Sequence, residues 1–291
     1  MTRGVLIFAQ NNAEIDYAKI SLFAAKRVKE YLGVPVSLIT DSSNWLKQSQ
    51  PDAESVFDQI IEIWTETHQT KKFYDGSLAA KTLTWKNLSR GDCCHLSPYD
   101  ETLVIDSDFI ISSPTLKNIW NNQNDFLIYN DSFDLANWRD DRSFRYLNQH
   151  SIPFYWATAF YFKKTTATWA FFDLIKNIKL NWNYYRLLYN IDSTIFRNDF
   201  AFSIAIHIFN GNIDSPVVAI LPGKKFYTLD KDVMIDISDN KFKFLLENFV
   251  KLTKMHMTLK KIICDTHSNI SHYVLAKLAH FRHTYLRNRF G

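Results

Sequence analysis

The chain has 291 residues, 46% of them hydrophobic, and a formal charge of +4. That is enough apolar material for one large core, or for a main domain with a smaller appendage. The 7 Gly and 7 Pro are scattered and no polar low-complexity tract occurs, which excludes a disordered linker or an internal repeat; the mild positive charge suits an anionic substrate or a nucleic acid without demanding either.

GVLIFAQ (4–10) reads as a buried first strand. In the next stretch Ile15, Ala18, Leu22, Ala25, Val28 and Leu32 recur at helical spacing and Gly33 marks a stop. VPVSLITD (34–41) is a second strand ending in Asp41. Strand, helix and strand with short connections make a βαβ unit, so the class is α/β with a parallel pair. No GxGxxG or GK[ST] follows the first strand, which disfavours dinucleotide-dependent dehydrogenases and P-loop kinases.

FDQIIEIW (57–64) reads as a strand, and LAAKTLTWKNLS (78–89) as a helix. After a short helix near 114–120 come strands at 125–130 and 154–162 and helices at 166–178 and 198–211, with a last strand at 217–222. From Phe242 the chain reads as mostly helical, so a main domain over 1–241 with a helical, basic extension over 242–291 is expected. That extension ends in Arg282, Arg287 and Arg289 with no acid beside them, either a solvated helix end or a phosphate patch. Cys93, Cys94 and Cys264 suit neither a disulfide framework nor zinc and point to reduced thiols. With no apolar run of membrane-spanning length, a soluble, cytoplasmic protein is expected.

TLVIDSDFIISSP (102–114) places Asp106 and Asp108 inside an apolar strand. If the backbone stays extended, residues i and i+2 face the same side. At the carboxyl end of a parallel strand that side opens on the ligand crevice. Two carboxylates there suit Mg²⁺ or Mn²⁺, which completes its shell with water and phosphate oxygens. The other explanation of DSD is a turn with Asx hydrogen bonds.

ETLVIDSDFIISSP after a strand–helix–strand opening resembles the DxD segment of GT-A glycosyltransferases, in particular the glycogenin and galactosyltransferase-like group with its bacterial and tailed-phage relatives. The resemblance implies a Rossmann-like mixed sheet flanked by helices. It also implies transfer of a sugar from a nucleoside diphosphate donor, commonly a UDP-sugar, with Mn²⁺ or Mg²⁺ as cofactor. Asp106 and Asp108 become metal ligands and Ser107 a donor contact between them. Ala9, Gln10 and Asn11 at the first strand end, with Asp41, become nucleotide contacts, and Lys72 or Lys81 a phosphate contact. A late metal-ligating histidine falls on His256, with His267 as rival, though the glycine and Pro-Trp of the family's motif are missing. Asp199 becomes the acid near the acceptor, unless it only caps its helix. FYWATAF (154–160) becomes the acceptor wall, unless its rings are core.

The acceptor stays open. The Asn-, Lys-, Phe- and Ile-rich composition looks like that of an AT-rich bacterium or phage. Hydroxymethylated phage DNA is then one acceptor class, with the enzyme in the host cytoplasm. Surface polysaccharide is the other, with ISHYVLAKLAHFRHTYLRNRF as an amphipathic membrane-binding tail. Two other readings compete. A haloacid dehalogenase-type phosphatase also uses DxD, but places it near the N-terminus and before a small residue rather than Phe109. A non-catalytic nucleic-acid-binding protein would not need Asp106. Nothing in the sequence fixes the oligomeric state.

Overall fold

Apolar and polar residues alternate along the chain with the period of strands in some stretches and of helices in others, and the elements follow those periods. A computed structural model of the chain describes residues 1–13, 15–64, 69–74, 80–134, 144–148, 151–212, 218–228, 234–238, 241–249, 257–265 and 270–275. In order come β1 (Arg3–Ala9), α1 (Tyr17–Leu32), β2 (Val36–Thr40), α2 (Ser43–Ser49), α3 (Ala53–Val56) and β3 (Gln59–Glu62). The hairpin β4 (Gln69–Tyr74) and β5 (Ala80–Trp85) leads to a 3-10 turn (Arg90–Asp92), α4 (Cys93–Leu96), β6 (Glu101–Asp106) and β7 (Phe109–Ile111). A 3-10 helix (Pro114–Asn121), β8 (Phe126–Tyr129) and β9 (Phe133–Asp134) close the first half. The second half holds β10 (Trp156–Lys163), α5 (Thr166–Leu180), α6 (Trp182–Leu188), α7 (Asn198–Phe209), β11 (Ala219–Ile220), β12 (Lys224–Thr228), β13 (Met234–Ser238), β14 (Lys241–Phe249), β15 (Met257–Asp265) and β16 (Ile270–Leu275).

The main sheet has seven strands in the order β11-β8-β10-β6-β1-β2-β3. β6, β1, β2 and β3 run parallel, while β10 is antiparallel to both β6 and β8. This is the mixed α/β sheet flanked by helices that the sequence implies. Side chains alternate across it. Leu6, Phe8, Val104, Phe160 and Phe162 pack toward α5 and α7, whereas Val5, Ile7, Leu103, Ile105 and Tyr161 pack toward α1 and the 3-10 helix. Each buried phenylalanine of the first face contributes about 2–3 kcal/mol. Local signals set the helix ends. Asp16 accepts from the Lys19 N–H at 2.9 Å, Gly33 closes α1 at φ 66°, and Thr165 and Thr168 form a capping box for α5. Among the described residues no helix is long and apolar enough to cross a membrane.

Two expectations fail. The helix read over 78–89 is β5 followed by an irregular segment. Leu83 and Trp85 are buried while Thr82 is exposed, a period of two that β-branched threonines favour. The helical extension from Phe242 is also absent over the described residues, where β14 pairs antiparallel with β13 and β15. Lys241, Phe242, Lys243 and Phe244 alternate with the strand period. Of the tail read as an amphipathic helix, Ile270–Leu275 is β16, paired with β12 and β7. Residues 276–291, with Arg282, Arg287 and Arg289, lie outside the described residues.

Gly4 shows how tightly the sheet is closed at its amino edge. A Cβ there would strike the ring of Tyr99, whose hydroxyl bonds Ser37 Oγ on β2 at 2.6 Å. Gly4→Ala therefore overpacks a buried ring and is expected to lower stability by about 1–3 kcal/mol in urea unfolding, whereas Gly33→Asn, at an open left-handed position, should change it little.

Candidate active site

The strand order reverses at β1, which has β2 on one side and β6 on the other. The carboxyl ends of these three parallel strands open a crevice at a topological switch point. Ala9, Gln10, Asn11, Asp41 and Asp106 all sit at or just beyond those ends, as expected. Asn11 donates its backbone N–H to Asp41 Oδ1 at 3.1 Å, and Lys86 Nζ pairs with Asp41 Oδ2 at 2.7 Å. The Asn11 side chain is used locally: Oδ1 accepts from the Ala18 N–H at 2.9 Å and Nδ2 donates to Asp16 at 3.0 Å, pinning the start of α1.

The extended backbone ends at Asp106. Ser107 and Asp108 form a turn, and the chain then leaves the main sheet as β7, which pairs with β16. The side chains at 106 and 108 are thus related by a turn rather than by strand alternation. Ser107 is buried. Asp106 is 20% exposed, and its Oδ1 accepts both an ion pair from the Arg90 guanidinium and a bond from Asn87 Nδ2 at 3.3 Å.

Arg90 is fully buried and also donates to the carbonyl of Ala157. The N–H of the same Ala157 donates to Asp199 Oδ1 at 3.0 Å, while Asp199 Oδ2 pairs with Arg197 at 2.7 Å. A break in the strand ladder makes this possible. On β10 the register jumps, with Trp156 opposite Tyr129 and Phe160 opposite Ile128, so the residues between bulge out of the β8 ladder. On the other side the pairing with β6 begins only at Ala159. Ala157, with no ladder partner on either neighbour, offers its carbonyl to the Asp106 side and its N–H to the Asp199 side. Asn198 Nδ2 reaches the Asn87 carbonyl at 2.9 Å and ties the start of α7 into the same cluster.

Asp199 is therefore not the helix cap that its position suggests. Arg197 occupies the cap position without a side-chain cap bond, and the Asp199 carboxylate joins α7 to β10 instead. In FYWATAF most rings take the core alternative: Phe154 and Phe160 are fully buried, and Trp156, also largely buried, carries Lys225 over its ring. Lys225, fully buried on β12, rests its Nζ 3.1 Å from the centroid of the Trp156 ring and donates to Ser132 Oγ at 3.2 Å. Burial holds its pKa well below the lysine range despite the opposing pull of Asp199 and Asp106, and Arg197 adds to the depression.

Lys72 and Lys81 lie on the β4–β5 hairpin, where Lys72 pairs with Thr82 and Lys81 with Phe73. Their side chains, like all of His256 and His267, lie outside the described residues. The cations that the fold does bring to the carboxylates are Lys86, Arg90, Arg197 and Lys225. Their signal in the sequence is faint: KNLSR (86–90) is polar at every position but Leu88, in a stretch that reads as the end of a helix.

Four buried polar atoms of this cluster, Asn87 Oδ1, Arg90 Nε, Arg197 Nε and Asn198 Oδ1, meet no hydrogen-bond partner among the described residues. Groups of this kind call for water or a ligand. Among the described residues no set of three His, Cys, Asp or Glu is arranged to hold a metal. A magnesium-type ion needs fewer, since one or two carboxylates with water and phosphate oxygens suffice. Asp106 Oδ2, which accepts no hydrogen bond from the described residues, leaves one carboxylate oxygen for such an ion.

Arg90→Met leaves Asp106 and the Ala157 carbonyl without their buried donor and is expected to cost about 3 kcal/mol in urea unfolding. Lys225→Met should act in the opposite direction near neutral pH. The folded-state pKa of Lys225 is depressed, so the unfolded chain binds the extra proton between that value and the ordinary one, and wild-type stability rises with pH across this window. The advantage of Lys225→Met should shrink as pH approaches about 10.4, measured by urea unfolding in chelator-containing buffers.

No family model matches the chain, and no curated protein matches it. Solved structures do. The galactosyltransferase LgtC, determined with donor and acceptor sugar analogues, is similar at 12% identity and a TM-score of 0.46, over 77% of this chain and 75% of that one. The glycosyltransferase GlyE of Streptococcus pneumoniae TIGR4 is similar at 12% identity and a TM-score of 0.39, over 76% of this chain and 45% of its own. At these values the likeness carries nothing about activity, and the functional reading rests on the site itself.

Proposed function

We propose that the protein is a metal-dependent glycosyltransferase that moves a sugar from a nucleoside diphosphate donor, a UDP-sugar, to an acceptor hydroxyl. The observation that carries this reading is the joining of Asp106 and Asp199 through the two sides of Ala157 at the strand-order switch point. Unpartnered buried polar atoms surround that junction. A polar ligand with several hydroxyls and a charged leaving group matches such a lining.

In this reading Asp106 Oδ2 and Asp108 hold Mn²⁺ or Mg²⁺, with His256 or His267 as a further ligand. The ion, when bound, acts as a Lewis acid on the departing diphosphate. Ala9, Gln10, Asn11 and Asp41 line the nucleotide side, with Ser107 at the turn and Lys72 or Lys81 on the phosphates. Arg90 fixes the orientation of Asp106, so the remaining carboxylate oxygen is preorganised rather than free to rotate. Asp199 has both oxygens held, by the Ala157 N–H and by Arg197. Such an arrangement suits a fixed anion that orients the acceptor hydroxyl more than a shuttle for its proton.

Thermal unfolding against nucleoside diphosphates and nucleotide sugars, with and without Mn²⁺, tests the donor site. A midpoint rise that requires both the metal and one nucleotide is expected, since a ligand bound only by the folded state stabilises it by mass action. Asp108→Asn should remove the metal-dependent part of that rise and abolish transfer to simple sugar and hydroxymethylated DNA acceptors, with the unfolding midpoint of the ligand-free protein little changed. Wild-type transfer by Asp108→Asn would overturn the metal assignment, and no shift with any nucleotide would overturn the transferase reading.

A further inference from the structure

Lys86 and Asn87 are consecutive, yet they answer to opposite sides of β1. Lys86 Nζ pairs with Asp41 Oδ2 beyond the end of β2 at 2.7 Å, and Asn87 Nδ2 bonds Asp106 Oδ1 at the end of β6 at 3.3 Å. β1 lies between those two strands. The chain that follows β5 therefore crosses the carboxyl end of β1 as a strap. Asn12 Nδ2 holds the strap at the Thr84 carbonyl, at 3.3 Å, and Asn198 Nδ2 holds it at the Asn87 carbonyl, at 2.9 Å. The buried Arg90 anchors its far end.

The Asp41 carboxylate does not need Lys86 to stay in place. Its Oδ1 already accepts from the Asn11 N–H at 3.1 Å and from Ser42 Oγ at 2.9 Å. Among the described residues its Oδ2 accepts from Lys86 alone. An ammonium has three donors, and a carboxylate oxygen takes more than one hydrogen bond. Lys86 uses one donor here, and its side chain is 31% exposed against 12% for Asp41. The pair thus keeps two donors and a further acceptor position side by side, within reach of solvent at the nucleotide side of the crevice.

We propose that the Lys86–Asp41 pair reads the ribose of a ribonucleotide through its two vicinal hydroxyls. One hydroxyl donates to Asp41 Oδ2 while its neighbour accepts from the Lys86 ammonium. The inference rests on the reading of the crevice as a nucleotide site, and it adds the part of the nucleotide that this pair selects. A carboxylate that ends the second strand of a β–α–β unit stands where open α/β sheets meet the ribose. The pair carries no net charge, which argues against a phosphate there, since the carboxylate beside the ammonium repels an anion. A neutral cis-diol calls instead for a donor and an acceptor next to each other, as Lys86 Nζ and Asp41 Oδ2 are. A partly exposed ion pair adds little to stability, so its loss should show in ligand selection rather than in folding.

Calorimetric titration of the full chain tests the proposal, with UDP, CDP, ADP and GDP and their 2′-deoxy counterparts in the presence of Mn²⁺. For the base that binds, wild type should hold the ribonucleotide about tenfold more tightly than the 2′-deoxynucleotide, because the missing hydroxyl has charged partners. Lys86→Met should lose most of this preference and bind the two within about twofold of each other, with an unfolding midpoint near that of wild type. Equal binding of the two nucleotides by wild type would overturn the proposal while leaving the nucleotide reading in place, and this comparison needs no variant. A Lys86→Met protein that keeps the wild-type preference would overturn it as well; if that protein also binds every diphosphate weakly, Lys86 belongs to the phosphates instead. Absence of any nucleotide binding by wild type would overturn the proposal together with the reading on which it rests.

Discussion

The buried guanidinium of Arg90 is the tie on which the site depends. It reaches the Asp106 carboxylate on β6 and the Ala157 carbonyl on β10, two strands that have stopped pairing at that level. A guanidinium is suited to this because its planar fork can hold two acceptors in fixed directions and stays charged at any ordinary pH. A buried charge that lost one acceptor would be costly, so the tie also fixes how far apart the two strand ends sit. The remaining polar cluster grows outward from it, through the Ala157 N–H to Asp199 and from Asn87 to Asn198.

Around that tie the packing is conventional. The two faces of the main sheet are filled separately, with phenylalanines of β10, α5 and α7 on one side and aliphatic side chains of β1, β6 and α1 on the other. Such a divided core holds the parallel strands rigidly while their carboxyl ends stay free to carry polar residues. The high aromatic content, which from composition alone suits either sugar stacking or core filling, is spent mainly on the core. Within FYWATAF it is Trp156 whose ring carries a lysine.

What could be read from the sequence follows from the range of the signals. The strands at 4–10, 34–41 and 102–106 and the helices after residues 16, 165 and 197 announce themselves by periodicity, and the first two helices also by caps, which are local. So does the crevice, because strand ends carry Asp41 and Asp106 in plain view. The hairpin at 69–85 and the strands after 240 were hidden because short alternating segments with lysine and threonine satisfy a helical reading as well as an extended one. Arg90, Arg197 and Lys225 were invisible for a different reason. Each acts through a partner far away in the chain, and nothing near Lys225 in sequence shows that it will be buried beside Trp156 and two acids. Asp199 stands out in the sequence as an acid at a helix start, but its bond to the Ala157 N–H does not, and the capping alternative is one that the fold does not use.

The bulge in β10 has an evolutionary consequence. At Ala157 the cluster is held by a main-chain carbonyl and a main-chain N–H, groups that every residue except proline supplies in the same form. The side chain at 157 is therefore answerable only to space, and small residues are interchangeable there. The number of residues between Trp156 and Phe160 is answerable to chemistry, because one more or one fewer would turn those two groups away from Arg90 and Asp199. Among descendants of this chain, the segment should be free to drift in letters and fixed in length.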